Sequence, residues 1–289
     1  MKPYTIVDKQ QLSENVFQMR IYAPMIAASR KPGQFILLSV DAEYGERIPL
    51  TIADASDREG TVTIIFQKVG FSTTKLSEMQ PGQALAAVLG PLGRATRVSK
   101  VGRVVCVGGG IGVAPMHPIA RAFKEAGNHL TCIIGARNRS LVIMEDLLRS
   151  FADEVIVCTD DGSYGRRDLV TAPLRELCES PEKPDLVIAI GPPVMMKFCV
   201  ETVRPYNLPV VVSLNTIMVD GTGMCGGCRV NVGGKTRFVC VDGPEFDGLQ
   251  VDFDGMMKRL GCFRPQERRM MEHACNLLDV NKQRALANQ

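Results

Sequence analysis

Residues 103–128 read RVVCVGGGIGVAPMHPIARAFKEAGN. An apolar β-branched run, then a glycine turn, then a helical stretch is the opening of a βαβ unit. The same alternation continues through LTCIIGA, LVIMEDLLRSF, VIVCTDDG, DLVTAPLRELCE, DLVIAIGPP, VMMKFCVETVRP and VVVSL. Strand alternating with helix in this way predicts a parallel sheet with crossover helices on both faces. Residues 99–216 therefore read as a doubly wound α/β domain. Its first turn brings backbone amides to a helix N-terminus, where a diphosphate can be held, although a merely tight strand-to-helix connection has the same glycines. Valine at 113 departs from GxGxxG, and the strand LTCIIGA runs into Arg137 rather than an acidic residue.

Upstream, residues 1–98 change pattern. The runs YTIV, VFQMRIY, QFILLSV, RIPLTIA, TVTIIFQKV and ALAAVLG are short, alternating or β-branched, and spaced by Gly, Pro and Asp. They predict a small antiparallel barrel or sandwich, interrupted by one helical insert near Ser72 to Met79. In it, Arg47 and Thr51 fall on one strand face, where an arginine fork suits a diphosphate and the backbone near Leu50 can meet a flat polar ring. Gly70, Ser72 and Thr73 open the helical insert with free amides and hydroxyls. An edge-strand charge and a helix cap are the plain alternatives.

Downstream, residues 217–250 hold VDGTGMCGGC and a later cysteine, and residues 251–289 are helical in composition. Asp220, Cys225, Cys228 and Cys240 are separated by four, two and eleven residues. A plant-type [2Fe–2S] cluster is held by C-x4-C-x2-C and a distant cysteine, so the match is complete except for aspartate in the first slot. The glycines let the loop wrap closely and aim amides at sulfur. Two other readings stay open here: zinc on the three cysteines with a fourth ligand, or an Asp-Gly turn with Cys199 or Cys262 completing the set.

The remaining cysteines need no such role. Cys106, Cys132 and Cys158 sit in apolar strands, and Cys178, Cys199 and Cys275 in helical patterns, as small buried hydrophobes. His117, His129 and His273 stand alone and read as surface or packing residues. A net charge of +3 over 289 residues argues for neither nucleic acid nor an acidic membrane surface as partner. The N-terminus has no apolar secretory core and no window is long and uncharged enough to span a bilayer, so the chain is expected in the cytoplasm.

RIPLTI, GFSTT, GGGIGVAP, TDDGS, GPP and DGTGMCGGC with its later cysteine stand in the order they have in the ferredoxin–NADP reductase superfamily, which the chain resembles over nearly its whole length. It is most similar to the branch that holds the electron-transfer subunits of dihydroorotate dehydrogenase and sulfide dehydrogenase and the small subunit of NADH-dependent reduced ferredoxin:NADP oxidoreductase. Aspartate with three cysteines looks like the last of these, because the dihydroorotate branch uses four cysteines.

The resemblance implies an FAD-binding barrel, an NAD-binding α/β domain and a C-terminal [2Fe–2S] module. Arg47, Pro49, Leu50 and Thr51, with Gly70, Ser72 and Thr73, would hold the flavin. Gly109, Gly110, Gly112, Val113, Asp160, Asp161, Gly191 and Pro192 would face NAD(H), and Asp220, Cys225, Cys228 and Cys240 the cluster. Many superfamily members carry cysteine where this chain has Ile190, and no catalytic acid or base is assigned. The implied function is electron transfer between NAD(H) and a larger flavoprotein partner, with the tail packed on its own chain or on that partner. Arg137 and Arg139 follow the second strand of the α/β domain, where an arginine can meet a 2′-phosphate, but the relatives most alike use NAD.

Overall fold

The computed structural model describes residues 1–42 and 45–270. The readings of His273, Cys275 and the far part of the tail fall outside the described residues. Strands β1 (Ile6–Ser13), β2 (Val16–Tyr22), β3 (Phe35–Ser39), β4 (Ile48–Ser56), β5 (Thr61–Gln67) and β6 (Ala87–Leu92) form one antiparallel sheet in the order β1-β2-β5-β4-β3-β6. Thr5 bridges Ala84, and Ile6 N–H donates to the Gln83 carbonyl at 2.8 Å. The first strand thus meets the segment that leads into the last, which closes the sheet into a barrel and removes its edges. Alternate residues fill it: Met19 and Ile21, Ile36 and Leu38, Val62, Ile64 and Phe66 are buried.

Two helices, not one, interrupt the barrel: α1 (Pro24–Ser29) and α2 (Phe71–Glu78). Pro24 presets the backbone at the start of α1 and Ile26 and Ala27 are buried under it, but six residues are too few for a helical period to show in the sequence.

The second unit runs β7 (Arg103–Gly109), α3 (Val113–Glu125), β8 (His129–Ala136), α4 (Glu145–Arg149), β9 (Glu154–Thr159), β10 (Arg166–Arg167), α5 (Thr171–Glu179), β11 (Leu186–Ile190), α6 (Pro193–Val203) and β12 (Val210–Ser213). Beyond it come the hairpin β13 (Arg229–Val232) and β14 (Lys235–Phe238), then α7 (Val239–Asp242), β15 (Glu245–Asp247) and α8 (Phe253–Leu260). The large sheet has the order β10-β9-β8-β7-β11-β12-β15, parallel except for β15. Strand order reverses between β7 and β11, and such a switch point opens a crevice at the strands' carboxyl ends.

Strand β15 comes from the cluster segment, where Glu245 pairs with Ser213 across from it. A three-residue strand carries no readable alternation, which is why the sequence shows no sign of it. The three parts also share one core, in which Phe35 and Leu37 of the barrel, Val105 and Val212 of the sheet, and Cys228, Val239 and Cys240 are buried together. Each part would expose apolar surface without the others.

Candidate functional site: a cleft at the switch point and a cysteine loop beside it

A cleft of about 1150 Å³ lies where the barrel meets the switch point. Pro49, Leu50 and Thr51 of β4 and Phe35 of β3 form one wall, and Gly109, Gly110 and Gly112 form the opposite one. Asp160, Ile190, Gly191 and Pro192 line it as well. Gly110 has φ +53° with no atom within 4 Å of where a Cβ would sit, so the turn leaves its open face for a ligand. At Gly112 a Cβ would collide with the Ile190 carbonyl and lie 2.7 Å from Gly191 Cα. Glycine there allows the turn after β7 to approach the carboxyl end of β11 closely.

Other expected residues lie elsewhere. Val113 does not face the cleft: it is 0% exposed, beneath the turn, and its N–H is taken by the Gly110 and Ile111 carbonyls. The first residue of a helix on this sheet points into the core, which overrides its place in the motif. Asp161 does not line the cleft either, because its carboxylate accepts the Ser163 N–H at 2.9 Å. The Ser163 hydroxyl and N–H hold that carboxyl below the usual carboxylate range. Arg47, Gly70, Ser72 and Thr73 are off the lined wall but belong together, since Ser72 donates to Glu46, the residue before Arg47, at 2.8 Å. Thr73 Oγ1 accepts the Gly70 N–H at 3.0 Å, fixing the start of α2. Arg137 lines the cleft, while the Arg139 guanidinium lies 5.2 Å from the Tyr164 ring centre.

The segment Ser213 to Met218, read from sequence as a boundary, is the third wall. The signal available was its place after β12, since ligands in open α/β sheets sit beyond the strands' carboxyl ends. Thr216, Ile217 and Leu260 also line a pocket of about 370 Å³ that borders Gly227 and Cys262. They are the partition between the cleft and the cysteine loop.

That loop brings its four candidate ligands together as two pairs. Asp220 accepts the Thr222 N–H at 2.9 Å and the Cys225 N–H at 2.7 Å. The first of these, with the second, holds the Asp220 carboxyl below its ordinary value. Cys228 Sγ and Cys240 Sγ lie 3.2 Å apart, and both are free thiols. Burial, with Cys228 beside it, pushes the Cys240 thiol up. Two buried sulfurs this close are a soft donor pair that would suit a thiophilic metal once deprotonated. Among the described residues no three His, Cys, Asp or Glu side chains converge on a single-ion site. Two pairs suit a two-iron cluster, which takes two protein donors on each iron. Gly227 N–H points at Cys225 Sγ at 3.4 Å and Cys240 N–H at Cys228 Sγ at 3.5 Å, as amides around an iron–sulfur cluster do.

The loop is fastened to the barrel by contacts that the sequence separates widely. Arg94 N–H donates to the Gly243 carbonyl at 2.7 Å, and Arg94 also pairs with Asp242 at 3.5 Å. Thr96 donates to Glu245 at 2.6 Å. A Cβ at Gly221, where φ is +74°, would lie 2.6 Å from Leu37 Cδ1, so the loop rests on the barrel wall.

A closed barrel packed against a doubly wound sheet, with a cysteine loop at their junction, defines an NAD(P)H-dependent oxidoreductase of the ferredoxin–NADP reductase fold with an iron–sulfur module. A model of oxidoreductase NAD-binding domains matches residues 106–201, and a model of the iron–sulfur cluster binding domain of dihydroorotate dehydrogenase B matches residues 215–252. A Thermotoga maritima protein described as an electron transfer subunit homolog of dihydroorotate dehydrogenase B (NAD(+)) is 45% identical over 263 residues, covering 91% of this chain and 92% of its own. The Geobacillus thermodenitrificans electron transfer subunit of that enzyme is 33% identical over 256 residues, 86% of this chain and 96% of its own. A chain in the solved structure of NADH-dependent reduced ferredoxin–NADP oxidoreductase superposes with TM-score 0.90 at 43% identity, over 95% of this chain and 99% of that one. The chain belongs to the family of dihydroorotate dehydrogenase B electron-transfer subunits, with that enzyme's iron–sulfur cluster binding domain at residues 215–252.

Proposed function

We propose that the chain passes electrons between NAD(H) and a larger flavoprotein, as the small subunit of an NADH-dependent reduced ferredoxin–NADP oxidoreductase. The observation that carries this is the single cleft whose walls are the barrel strand, the glycine turn and the segment that runs on into the cysteine loop. FAD, when bound here, would supply the chemistry that links two-electron hydride transfer to a one-electron [2Fe–2S] cluster. The chain's own part is placement. Pro49, Leu50 and Thr51 support the flavin ring, and Arg47 with the start of α2 takes its diphosphate. Gly109, Gly110 and Gly112 admit the nicotinamide nucleotide beside Gly191 and Pro192, with Asp160 accepting from a ribose. Asp220, Cys225, Cys228 and Cys240 would hold the cluster. The contacts of Arg94 and Thr96 fix the separation between the two cofactor sites.

Among the described residues no helix is long and apolar enough to cross a membrane, and we place the protein in the cytoplasm. Anaerobic reconstitution followed by NADH addition tests the proposal. Visible bleaching of flavin and a reduced-cluster EPR signal are expected, and protein with neither flavin nor acid-labile sulfide overturns it. Flavin reduction is expected to be faster with NADH than with NADPH.

A second reading, electron-transfer subunit of a dihydroorotate dehydrogenase, is favoured by the names of the relatives. Isolation of the native complex decides: a dihydroorotate dehydrogenase as large subunit selects the second reading.

A further inference from the structure

We propose that His117 is a positioning residue that locks the barrel strand bearing the flavin wall to the helix that follows the nucleotide turn. The inference rests on the reading above, that flavin and nicotinamide meet in the cleft. His117 lies on α3, five residues after Gly112, and is 1% exposed. Its Nδ1 is 3.2 Å from the Ala53 carbonyl of β4, two residues after Thr51. Its Nε2 is 3.3 Å from an Arg121 guanidinium nitrogen. The Phe151 ring meets the imidazole edge-on at 5.7 Å.

The two partners dictate one protonation state. A guanidinium only donates and a carbonyl only accepts, so Nε2 must be the acceptor and Nδ1 must carry the proton. A second proton would break the Arg121 contact and place two cations together. Burial is the main cause that lowers the His117 pKa, and the Arg121 charge adds to it. The charged groups around it are Arg121 on its own helix, Asp54 of β4, 3.2 Å from Arg121, and Arg30 after α1, 3.5 Å from Asp54.

Strand β4 is built to make this contact. Its pairing with β5 shifts register between Ile52 and Asp54, leaving Ala53 without a partner residue. Such a bulge re-aims the backbone, and here it turns the carbonyl toward the other unit. The contact joins β4, whose Thr51 lines one wall of the cleft, to α3, which follows the glycine turn of the other, so a shift there is passed on to the spacing of flavin and nicotinamide. Hydride transfer is steep in that spacing.

The test uses the full chain loaded with FAD and cluster, carrying His117→Leu, His117→Asn or His117→Gln. An asparagine amide sits where Nδ1 was and still donates to Ala53, whereas a glutamine amide sits where Nε2 was. NADH is added, and the long-wavelength charge-transfer absorbance of stacked nicotinamide and flavin is recorded with the limiting rate of flavin reduction. His117→Leu and His117→Gln are expected to keep the flavin spectrum and cluster EPR but lose the band and slow roughly tenfold to a hundredfold. His117→Asn stays within about threefold of wild type. If His117→Leu does not fold, the Asn and Gln pair alone decides. A Gln variant with wild-type band and rate, or an Asn variant as impaired as Gln, overturns the proposal. Wild-type protein that binds FAD but is never reduced by NADH removes the functional reading itself, and this inference with it.

Discussion

Cys228 Sγ and Cys240 Sγ lie 3.2 Å apart inside the molecule, with the hairpin of β13 and β14 folding the chain between them back on itself. Asp220 meets Cys225 at the surface end of the same loop. Asp220 accepts the Thr222 and Cys225 N–H groups there, and we propose that it is also a cluster ligand. Asp220→Cys is expected to retain the cluster with changed EPR g-values and a lower potential, because thiolate is the softer and more electron-donating ligand. Asp220→Ala should lower cluster retention at least about tenfold, read as acid-labile sulfide per chain. Wild-type spectra and retention in both variants would return Asp220 to a turn residue.

The two glycines of the nucleotide turn should fail differently. Gly112→Ala drives a methyl into the Ile190 carbonyl, so about 3 kcal/mol or more of stability should be lost. Gly110→Ala meets no atom within 4 Å and costs only about 1–2 kcal/mol for its left-handed backbone. It should fold with its flavin and raise the KM for NADH about tenfold. Thermal melts and steady-state kinetics on the two variants separate these effects.

Glu245 is a partly buried residue whose carboxyl is largely shut from water between Thr96 and β12, and burial raises its pKa above the ordinary 4.5. The unfolded chain therefore releases this proton before the folded protein does, and stability falls as pH rises from about 4.5 toward the raised folded value. Glutamine cannot ionise and can still accept from Thr96. Melting temperatures of Glu245→Gln and wild type should converge near pH 4 and separate in favour of the variant at about pH 8. A gap that narrows as pH rises would contradict this.

Cysteine chemistry should follow burial. Cys132 and Cys199 are pushed up to about 12, and Cys158 and Cys178 to about 11, chiefly by desolvation. Cys106 is raised as well, first by burial and then by Cys132. Among the described cysteines of the cluster-loaded protein, iodoacetamide should label Cys262, which is exposed, and spare these five until denaturant is added. Peptide mass spectrometry reads the result.

The architecture was largely legible because it rests on local periodicity. Alternation set out the barrel strands, the strand and helix rhythm set out the doubly wound sheet, and the C-x2-C loop with its upstream aspartate pointed to iron and sulfur. Short elements were not legible: α1 and β15 are shorter than the pattern that would announce them. Val113 shows the limit of reading a motif position by position, since a helix's first turn can satisfy the spacing and still point inward.

By itself, then, the sequence determined the order of the parts and the kinds of chemistry each can hold, because strand and helix periods, turn glycines and ligand spacing are written within a few residues. Only the tertiary structure decided how those parts become one electron path. The partition at Thr216 and Ile217, the Arg94 and Thr96 contacts to the cluster segment, and the His117 bond to a bulged carbonyl join residues far apart in the chain. Such contacts form where buried donors and acceptors must find partners after the cores have packed, and no local pattern records that outcome.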